Sequence, residues 1–283
     1  MKYYLVGLLF LLSLAASAQD RQTVPYGNNP AAGHYQTMSD GTKLYYETYG
    51  QGRPLVLLHG DLFGDISEYS NLIPSLQQNF KVIAVDVRGH AKSAIGKQPF
   101  TYQMLANDAI SIIQQAAHDS VVLIGFSGGA VSSMLVTLQH PELVRKLVYI
   151  GGNQSAASEH PEVLRDLQNF NGDTVAKWDP NFVKTRKALM PEPNRWSDFV
   201  IYMRNAWLTR TRITDEQLRS IKCPVLVAGG DRDEHNPVSQ FEDAYTHITH
   251  AELAIIPGSD HVVLYREPEL MRKIIVKFLK AAP

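Results

Sequence analysis

Cysteine is nearly absent from this chain, with one residue, Cys223, among 283. A single cysteine excludes an internal disulfide framework and a cysteine-based zinc site. The chain also lacks an excess of either charge, because it has 27 Lys and Arg and 28 Asp and Glu, which gives a formal net charge of −1. This balance gives no electrostatic reason to expect a nucleic acid or an anionic membrane as partner. The composition, 45% hydrophobic and 19% charged, is typical of a globular protein with a large core.

The N-terminus carries the features of an export signal. Lys2 precedes an apolar run over residues 5–14, which is too short to span a bilayer core of about 30 Å. Ala16-Ser17-Ala18 then supplies the small-x-small pattern that signal peptidase cleaves. We therefore expect residues 1–18 to be a cleaved signal peptide and the mature protein to be periplasmic or secreted, without a membrane anchor. An uncleaved anchor is the alternative.

Apolar runs typical of buried strands alternate with helical patterns along most of the remaining chain. This alternation predicts an α/β fold with a mostly parallel, doubly wound sheet. Residues 19–33 are predicted to be an extended arm, and residues 34–152 and 221–283 the sheet-and-helix core. A hairpin is expected around Asp40-Gly41. The strand runs are 55–58, 82–85, 121–124, 147–150, 225–228 and 253–256, and the helical stretches are 66–78, 102–117, 131–140, 238–248 and 267–279.

Residues 153–220 interrupt this alternation, because no buried-strand run appears there. An insertion of this length is too long for a plain connection between strands. It is predicted to be a helical cap over the carboxyl edge of the sheet, where open α/β sheets bind ligands. The segment holds all three tryptophans, Trp178, Trp196 and Trp207. These favour an apolar chamber for a small-molecule substrate, although each one is equally typical of core packing.

Ser127 is the candidate nucleophile. Gly125-Phe126-Ser127-Gly128-Gly129 follows an apolar strand and begins a helix, which is the strand–turn–helix context that a G-x-S-x-G serine requires. The turn forces the serine into a strained backbone conformation, and side chains at either outer glycine would collide with their neighbours.

A catalytic serine needs a base and an acid that orients the base. His261 is the candidate base because it lies in the loop between the last strand and the last helix, and His235 is the only serious rival. The acid should follow the preceding strand, where both Asp231 and Asp233 occur. The order serine, acid, histidine is one of the known triad orders. These residue types predict nucleophilic catalysis at a carbonyl.

An oxyanion site is predicted from two backbone amides. Gly60 ends a strand and allows the next amide, that of Asp61, to point inward together with the amide of Gly128. Such donors stabilise the tetrahedral transition state. The Asp61 carboxylate is unfavourable beside an oxyanion, so we expect its side chain to turn away or to meet a polar substrate group. His59 is expected to hold the loop by hydrogen bonding.

These residues together resemble the α/β-hydrolase fold superfamily, in particular capped bacterial hydrolases related to esterases, enol-lactonases and carbon–carbon bond hydrolases. The resemblance extends from about Gly33 to Ala281. In these relatives the acid commonly lies in G-x-x-D followed by proline four residues later, which Gly230, Asp233 and Pro237 match; the resemblance thus implies Asp233 rather than Asp231. The H-G-x loop of the family is matched by His59-Gly60-Asp61. Its D-x-R-G-x-G-x-S pattern is matched by Asp86, Arg88, Gly89 and Ser93, with Ala91 in place of a family glycine.

The resemblance implies a serine hydrolase that cleaves a small or medium, largely apolar ester or lactone through an acyl-enzyme. The implied triad is Ser127, Asp233 and His261, and no metal or organic cofactor is implied. The same three residues serve carbon–carbon bond hydrolases and cofactor-free perhydrolases, so both activities stay open. A non-catalytic ligand-binding protein of the same fold is the alternative from another class. The sequence does not decide the oligomeric state.

Overall fold

The computed structural model describes residues 24–210 and 212–281. The predicted signal peptide, residues 1–18, and the first part of the predicted arm lie outside the described residues. Within the described part, eight strands form one sheet in the order β1-β2-β4-β3-β5-β6-β7-β8. The strands are β1 (Gly33–Thr37), β2 (Lys43–Tyr49), β3 (Arg53–Leu58), β4 (Phe80–Val85), β5 (Val121–Phe126), β6 (Val144–Ile150), β7 (Val225–Gly230) and β8 (Ala251–Ile256).

The six strands β3 to β8 run parallel to one another. The strands β1 and β2 form the predicted hairpin at one edge, where β2 also pairs antiparallel with β4. All six residues of β5 are buried. Burial on both faces explains why this strand has a continuous apolar sequence, since helices cover both sides of a parallel sheet. The predicted fold class is confirmed.

Helices pack on both faces of the sheet and form two hydrophobic clusters with its side chains. The predicted helix over residues 66–78 is wrong in part, because a 3-10 turn (Ile66–Tyr69) and a single α-helical turn (Ile73–Leu76) replace it. Pro74 lies at the start of the second turn and lacks the N–H that a continuous helix would use. The core helices are α1 (Ile73–Leu76), α2 (Tyr102–Ala116), α3 (Gly128–Gln139), α9 (Val238–His247), α10 (Val263–Arg266) and α11 (Pro268–Lys280).

The segment 153–220, predicted as a cap, is helical in the structure. A third hydrophobic cluster joins it to the core and includes Trp196 and Phe199 from the segment and Phe100 from the core. Trp178, by contrast, is 70% exposed. The helices of this segment are α4 (Pro161–Gln168), α5 (Gly172–Trp178), α6 (Pro180–Leu189), α7 (Trp196–Thr209) and α8 (Asp215–Ser220).

A buried ion pair connects the beginning of this helical segment with the end of α7. Arg210, directly after α7, binds Glu159, and their side chains are 3% and 2% exposed. The same guanidinium donates to the Asn153 side chain and, over 3.1 Å, to the Ser155 carbonyl just after β6. The pair therefore lies close to the carboxyl ends of the strands.

Across residues 24–210 and 212–281, no helix has both the length and the apolar character needed to cross a membrane. The carboxyl ends of the parallel strands β3, β5, β7 and β8 lie at one edge of the sheet. The loops that follow these strands carry Asp61, Ser127, Asp233 and His261, and Gly128 begins the helix α3.

Candidate active site

Ser127 occupies a sharp turn between β5 and α3, with φ of 52° and ψ of −121°. This left-handed conformation costs a non-glycine residue about 1–3 kcal/mol. Glycines on either side permit the turn: a Cβ at Gly125 would overlap the Gly129 carbonyl, and one at Gly129 would overlap the backbone of β3. The strain thus places the serine hydroxyl at the carboxyl edge, at the N-terminus of α3, as the sequence predicts.

The structure brings the serine together with the predicted base and acid. The distance from Ser127 Oγ to His261 Nε2 is 2.9 Å, and the distance from His261 Nδ1 to Asp233 Oδ2 is also 2.9 Å. These two contacts use both ring nitrogens of one imidazole. A proton on Nδ1, donated to the carboxylate, leaves the Nε2 lone pair facing the serine hydroxyl.

Asp233 is held rigidly in the loop after β7. Its Oδ1 accepts from the backbone amides of His235, over 2.8 Å, and Asn236, over 2.9 Å. Burial raises the pKa of Asp233, but the hydrogen bond and charge of His261 and the donors of Asn236 outweigh it, so the pKa lies below its usual value. The carboxylate therefore stays ionised beside the imidazole.

Asp231, the other candidate acid, points elsewhere. Its Oδ1 accepts from the Gly258 amide over 2.6 Å and lies 3.8 Å from Arg232 Nε. The side chain thus fastens its own loop to the turn after β8. Among the described residues it forms no hydrogen bond with His261.

The electrostatic surroundings of His261 favour its protonated form. Burial lowers the pKa of His261, but the hydrogen bond to Asp233 and the negative charges of Asp233, Glu234 and Glu159 outweigh it, so the pKa lies above its ordinary value. His235, the rival base, contacts the ring of His261 at a centroid distance of 4.5 Å. Burial lowers the pKa of His235 to about 4, so it adds no positive charge there at neutral pH.

This environment predicts the pH dependence of catalysis. The imidazolium cannot accept the serine proton, so we expect kcat/KM to rise with pH as a single group deprotonates, and then to flatten. Because the pKa of His261 is raised, the midpoint should lie above the ordinary histidine value of about 6.5. The measurement is the steady-state rate for a soluble aryl ester from acid to mildly alkaline pH, with and without EDTA. A midpoint below 6.5, or activity that EDTA removes and zinc restores, would contradict His261 as the base.

Two backbone amides next to Ser127 are free to receive an oxyanion. Neither the Asp61 nor the Gly128 amide donates a hydrogen bond to another of the described residues. Both residues border the same small cavity as Ser127. The role of these amides as oxyanion donors stays a prediction.

His59 fixes the peptide that carries the Asp61 amide. The Val87 amide donates to His59 Nε2 over 2.9 Å, so the ring proton is on Nδ1, which donates to the Gly60 carbonyl over 2.8 Å. In a trans peptide the N–H points opposite to the carbonyl, so the Asp61 amide is directed away from His59. The Gly60 amide donates to Glu68 over 2.7 Å. The loop is thus held on both sides of this peptide.

The Asp61 side chain does not turn away from the site. Its carboxylate borders the cavity beside Ser127 and accepts a hydrogen bond from the Tyr102 hydroxyl. A Cβ at Gly128 would overlap this carboxylate, so a larger residue there would displace the Asp61 side chain. Burial raises the pKa of Asp61 to about 6, against the lowering effects of Tyr102 and Arg210.

Two spaces have Ser127 and His261 in their walls, and they differ in character. One is a cavity of about 330 Å³ whose walls are mostly apolar and include Phe126, Phe182 and Val262, although Asp61 borders it as well. The other, which we call the polar recess, holds only about 10 Å³ and is bordered by Asp61, Glu159 and Arg210. The expectation of an apolar chamber is therefore wrong for the recess, because charged and hydrogen-bonding side chains surround it. Trp207 borders both spaces, whereas neither Trp178 nor Trp196 borders them.

Sequence reasoning did not place four residues in the walls of this site: Tyr102, Glu159, His235 and Arg210. It had considered His235 only as a rival base. Tyr102 begins α2 and reaches Asp61, 41 positions earlier in the chain. Glu159 and Arg210 are 51 positions apart. No local spacing signals such pairs.

One group of side chains in the described part has the spacing of metal ligands. It consists of Asp215, Asp243 and His247. Arg212 and Arg219 lie 3.8 and 3.9 Å from the Asp215 carboxylate and offset its charge. The group does not border either space beside Ser127.

Comparisons with known proteins agree with this fold. Residues 55–273 match the model of the alpha/beta hydrolase family. The chain is 27% identical over 270 residues to the AB hydrolase superfamily protein YisY of Bacillus subtilis (strain 168), covering 87% of this chain and 98% of that protein. Solved structures with the same fold include an esterase from Exiguobacterium antarcticum, with a TM-score of 0.71, 22% identity and coverage of 87% and 99% of the two chains. The enol-lactonase from Burkholderia xenovorans LB400 superimposes with a TM-score of 0.68 at 19% identity, covering 88% and 100%.

Proposed function

The chain belongs to the alpha/beta hydrolase family, and on this premise we propose that it is a serine hydrolase of carboxylic esters or lactones that acts through an acyl-enzyme. The hydrolase names of its relatives agree with the predicted enzyme class. The observation that carries the proposal is the unbroken contact chain from Asp233 through His261 to Ser127, with 2.9 Å at each step.

In the first half of the reaction, Ser127 Oγ attacks the ester carbonyl carbon while His261 Nε2 takes the hydroxyl proton. Asp233 keeps the other ring nitrogen protonated and stabilises the imidazolium that forms. The Asp61 and Gly128 amides hold the negative oxygen of the tetrahedral intermediate; one such donor contributes about 3 kcal/mol in other hydrolases. The carbon–oxygen bond of the ester then breaks, and His261 donates its proton to the departing alcohol.

In the second half, water attacks the acyl-serine. His261 accepts a proton from the water, and the carboxylic acid leaves as the proton returns to Ser127 Oγ. In each half of the reaction His261 accepts one proton and then donates it, so the imidazole returns to its starting state. Every group that these steps require comes from this chain, the substrate or water.

The dimensions of the site support a substrate of small or medium size. The apolar cavity of about 330 Å³ suits one aromatic or short aliphatic group, and the recess of about 10 Å³ admits one small polar group. We therefore expect at least about tenfold higher kcat/KM for an aryl acetate or butyrate than for the aryl palmitate, because a short acyl chain fits within the cavity. Rates on emulsified long-chain triglyceride that exceed those on soluble aryl acetate would contradict this.

The proposal is tested with a substrate panel of phenyl acetate, a butyrolactone and an aromatic 1,3-diketone. We expect hydrolysis of the ester or the lactone that disappears in Ser127→Ala. Cleavage of the diketone alone would instead favour the carbon–carbon bond hydrolase. Binding without turnover of any panel member would favour a non-catalytic protein.

Export is part of the same proposal. Its basis is the basic, apolar and small-residue sequence pattern of residues 1–18. Expression of the full chain in a bacterium with a periplasm is expected to yield a mature protein whose N-terminal residue is Gln19. A cytoplasmic product that retains Met1 would contradict this expectation.

A further inference from the structure

Three aromatic side chains form a contiguous group beside the apolar cavity, and the catalytic steps do not use them. The ring centres of Phe63 and Trp178 are 5.5 Å apart at an angle of 88° between the planes, and those of Phe63 and Phe182 are 5.0 Å apart. Phe63 lies in the loop after β3 of the core, whereas Trp178 ends α5 and Phe182 lies in α6. We call this group the aromatic rim.

The rim continues the wall of the cavity toward solvent. Phe63 and Phe182 border the cavity of about 330 Å³ that Ser127 also borders. Phe63 is 40% exposed and Trp178 is 70% exposed. Single exposed apolar side chains are common on proteins, but a contiguous group of them beside a ligand cavity indicates a binding surface. A ligand that fills the cavity and extends outward therefore meets these rings.

Contacts between the core and the helical segment hold the rim in place. The Arg186 guanidinium of α6 binds the Asp65 carboxylate and the Phe63 carbonyl, which both belong to the loop after β3. The same guanidinium lies 5.2 Å from the centre of the Phe182 ring. Rings that are already positioned lose little side-chain freedom when a ligand binds, so the rim is prepared for binding.

The charges around the rim favour a neutral ligand. Arg186 is the cation at the Phe182 ring, and Asp65 offsets its charge, with side chains that are 14% and 12% exposed. Aromatic rings attract one another in edge-to-face or offset geometry, and a ring that packs on Trp178 also removes apolar surface from water. The rim therefore suits an uncharged aromatic ring rather than an ion.

The position of His261 indicates which part of an ester extends toward the rim. In the proposed mechanism His261 donates its proton to the departing alcohol, so the alcohol oxygen lies beside this residue. Val262 and Tyr265, which follow it in the chain, border the same cavity, and Tyr265 is 52% exposed. We propose that the aromatic rim binds a second ring of the alcohol, so that the preferred substrates are esters whose alcohol carries two linked aromatic rings. This inference rests on the proposed esterase function.

The first test compares phenyl acetate with 4-phenoxyphenyl acetate, which differ by one ring. The informative quantity is the 4-phenoxyphenyl-to-phenyl ratio of kcat/KM in the wild type divided by that ratio in Trp178→Ala, because the chemical difference between the two esters cancels. We expect a value of about 3 to 10, the contribution of one aromatic pair. Trp178 does not border the cavity at Ser127, so the change should lie in KM and leave kcat within about twofold. A value of 1, or a change confined to kcat, would overturn the inference.

Tyr245→Ala is the matched control for the loss of an exposed ring. Tyr245 is 44% exposed, but it belongs to α9 and borders neither space at Ser127. Its ratio should equal that of the wild type, and an equal drop in both variants would overturn the assignment to Trp178. Both side chains are exposed, so both variants should keep the unfolding midpoint of the wild type.

Two other occupants of the rim would give different results. Sedimentation of the wild-type protein with phosphatidylcholine vesicles that is lost in Trp178→Ala would assign the rim to a lipid surface and overturn the substrate inference. A dimer that dissociates in Trp178→Ala would assign it to a second copy of this chain, with the same consequence. We expect neither dependence on Trp178.

A binding measurement separates this inference from the proposed function. NMR titration of the wild-type protein with phenol and with 4-phenoxyphenol requires no turnover, and the indole N–H signal of Trp178 is identified by its absence from Trp178→Ala. We expect 4-phenoxyphenol, but not phenol, to shift this signal and to bind at least about threefold more tightly. If 4-phenoxyphenol leaves the signal unchanged, the inference is overturned even where Ser127-dependent ester hydrolysis is found. The shift without hydrolysis of either ester supports the rim as a binding site and overturns the esterase proposal.

Discussion

Replacing Ser127 with alanine is expected to lower kcat for a soluble aryl ester by about 10⁴-fold or more, as loss of the nucleophile does in other triads. The substitution removes the only hydroxyl that contacts His261 Nε2 among the described residues. Alanine and serine are equally strained at a φ of 52°, so the thermal unfolding midpoint should change little. The measurement is the steady-state rate of the purified variant beside its unfolding curve.

Ser132→Ala is the matched control for this experiment. Ser132 lies on the same helix, α3, and is 3% exposed, but it does not border either space at Ser127. Its activity should stay within a few-fold of the wild type. A Ser127→Ala enzyme that keeps a tenth of the wild-type rate would reject Ser127 as the nucleophile.

Asp233→Asn is expected to reduce kcat by about 10³- to 10⁴-fold, whereas Asp231→Asn should cost less than about tenfold. The amide of asparagine donates to Nδ1 and so stabilises the tautomer with its proton on Nε2, which cannot accept the serine proton. Asp231 holds only the turn at Gly258. The two variants differ from the wild type by the same atoms, so each controls for the other.

The loss of the Asp233 charge has a second consequence. The negative charge of this residue is among the causes that raise the pKa of His261. The midpoint of the pH profile should therefore move to lower pH in Asp233→Asn and stay unchanged in Asp231→Asn. If Asp231→Asn proved the more damaging variant, the assignment of the acid would be wrong.

Local patterns in the sequence predict the sheet, the serine Ser127 and the candidate base His261. The strand β5 is buried on both faces and is apolar throughout, and the elbow at Ser127 needs glycines at fixed positions. The choice of Asp233 over Asp231 came from a family resemblance. The structure gives its physical reason, since only Asp233 reaches His261.

The walls of the site could not be predicted in the same way. Contacts such as Tyr102 with Asp61 and Arg210 with Glu159 join residues that are distant in sequence. Their pairing depends on how the segment 153–220 packs on the core. Tryptophans in that segment indicated an apolar chamber, but the polar recess is bordered by Glu159 and Arg210 of the segment and by Asp61 of the core.

Labelling with a fluorophosphonate probe tests the central claim most directly, because the probe reacts with an activated serine and leaves a merely exposed one unmodified. We expect the wild-type protein to gain one phosphonyl group, which mass spectrometry of its peptides places on Ser127. Labelling should be strongly slowed in Asp233→Asn and absent at that peptide in Ser127→Ala. A folded wild-type protein that remains unlabelled, or that is labelled at another residue, would contradict the assignment of Ser127 as a nucleophile activated by His261 and Asp233.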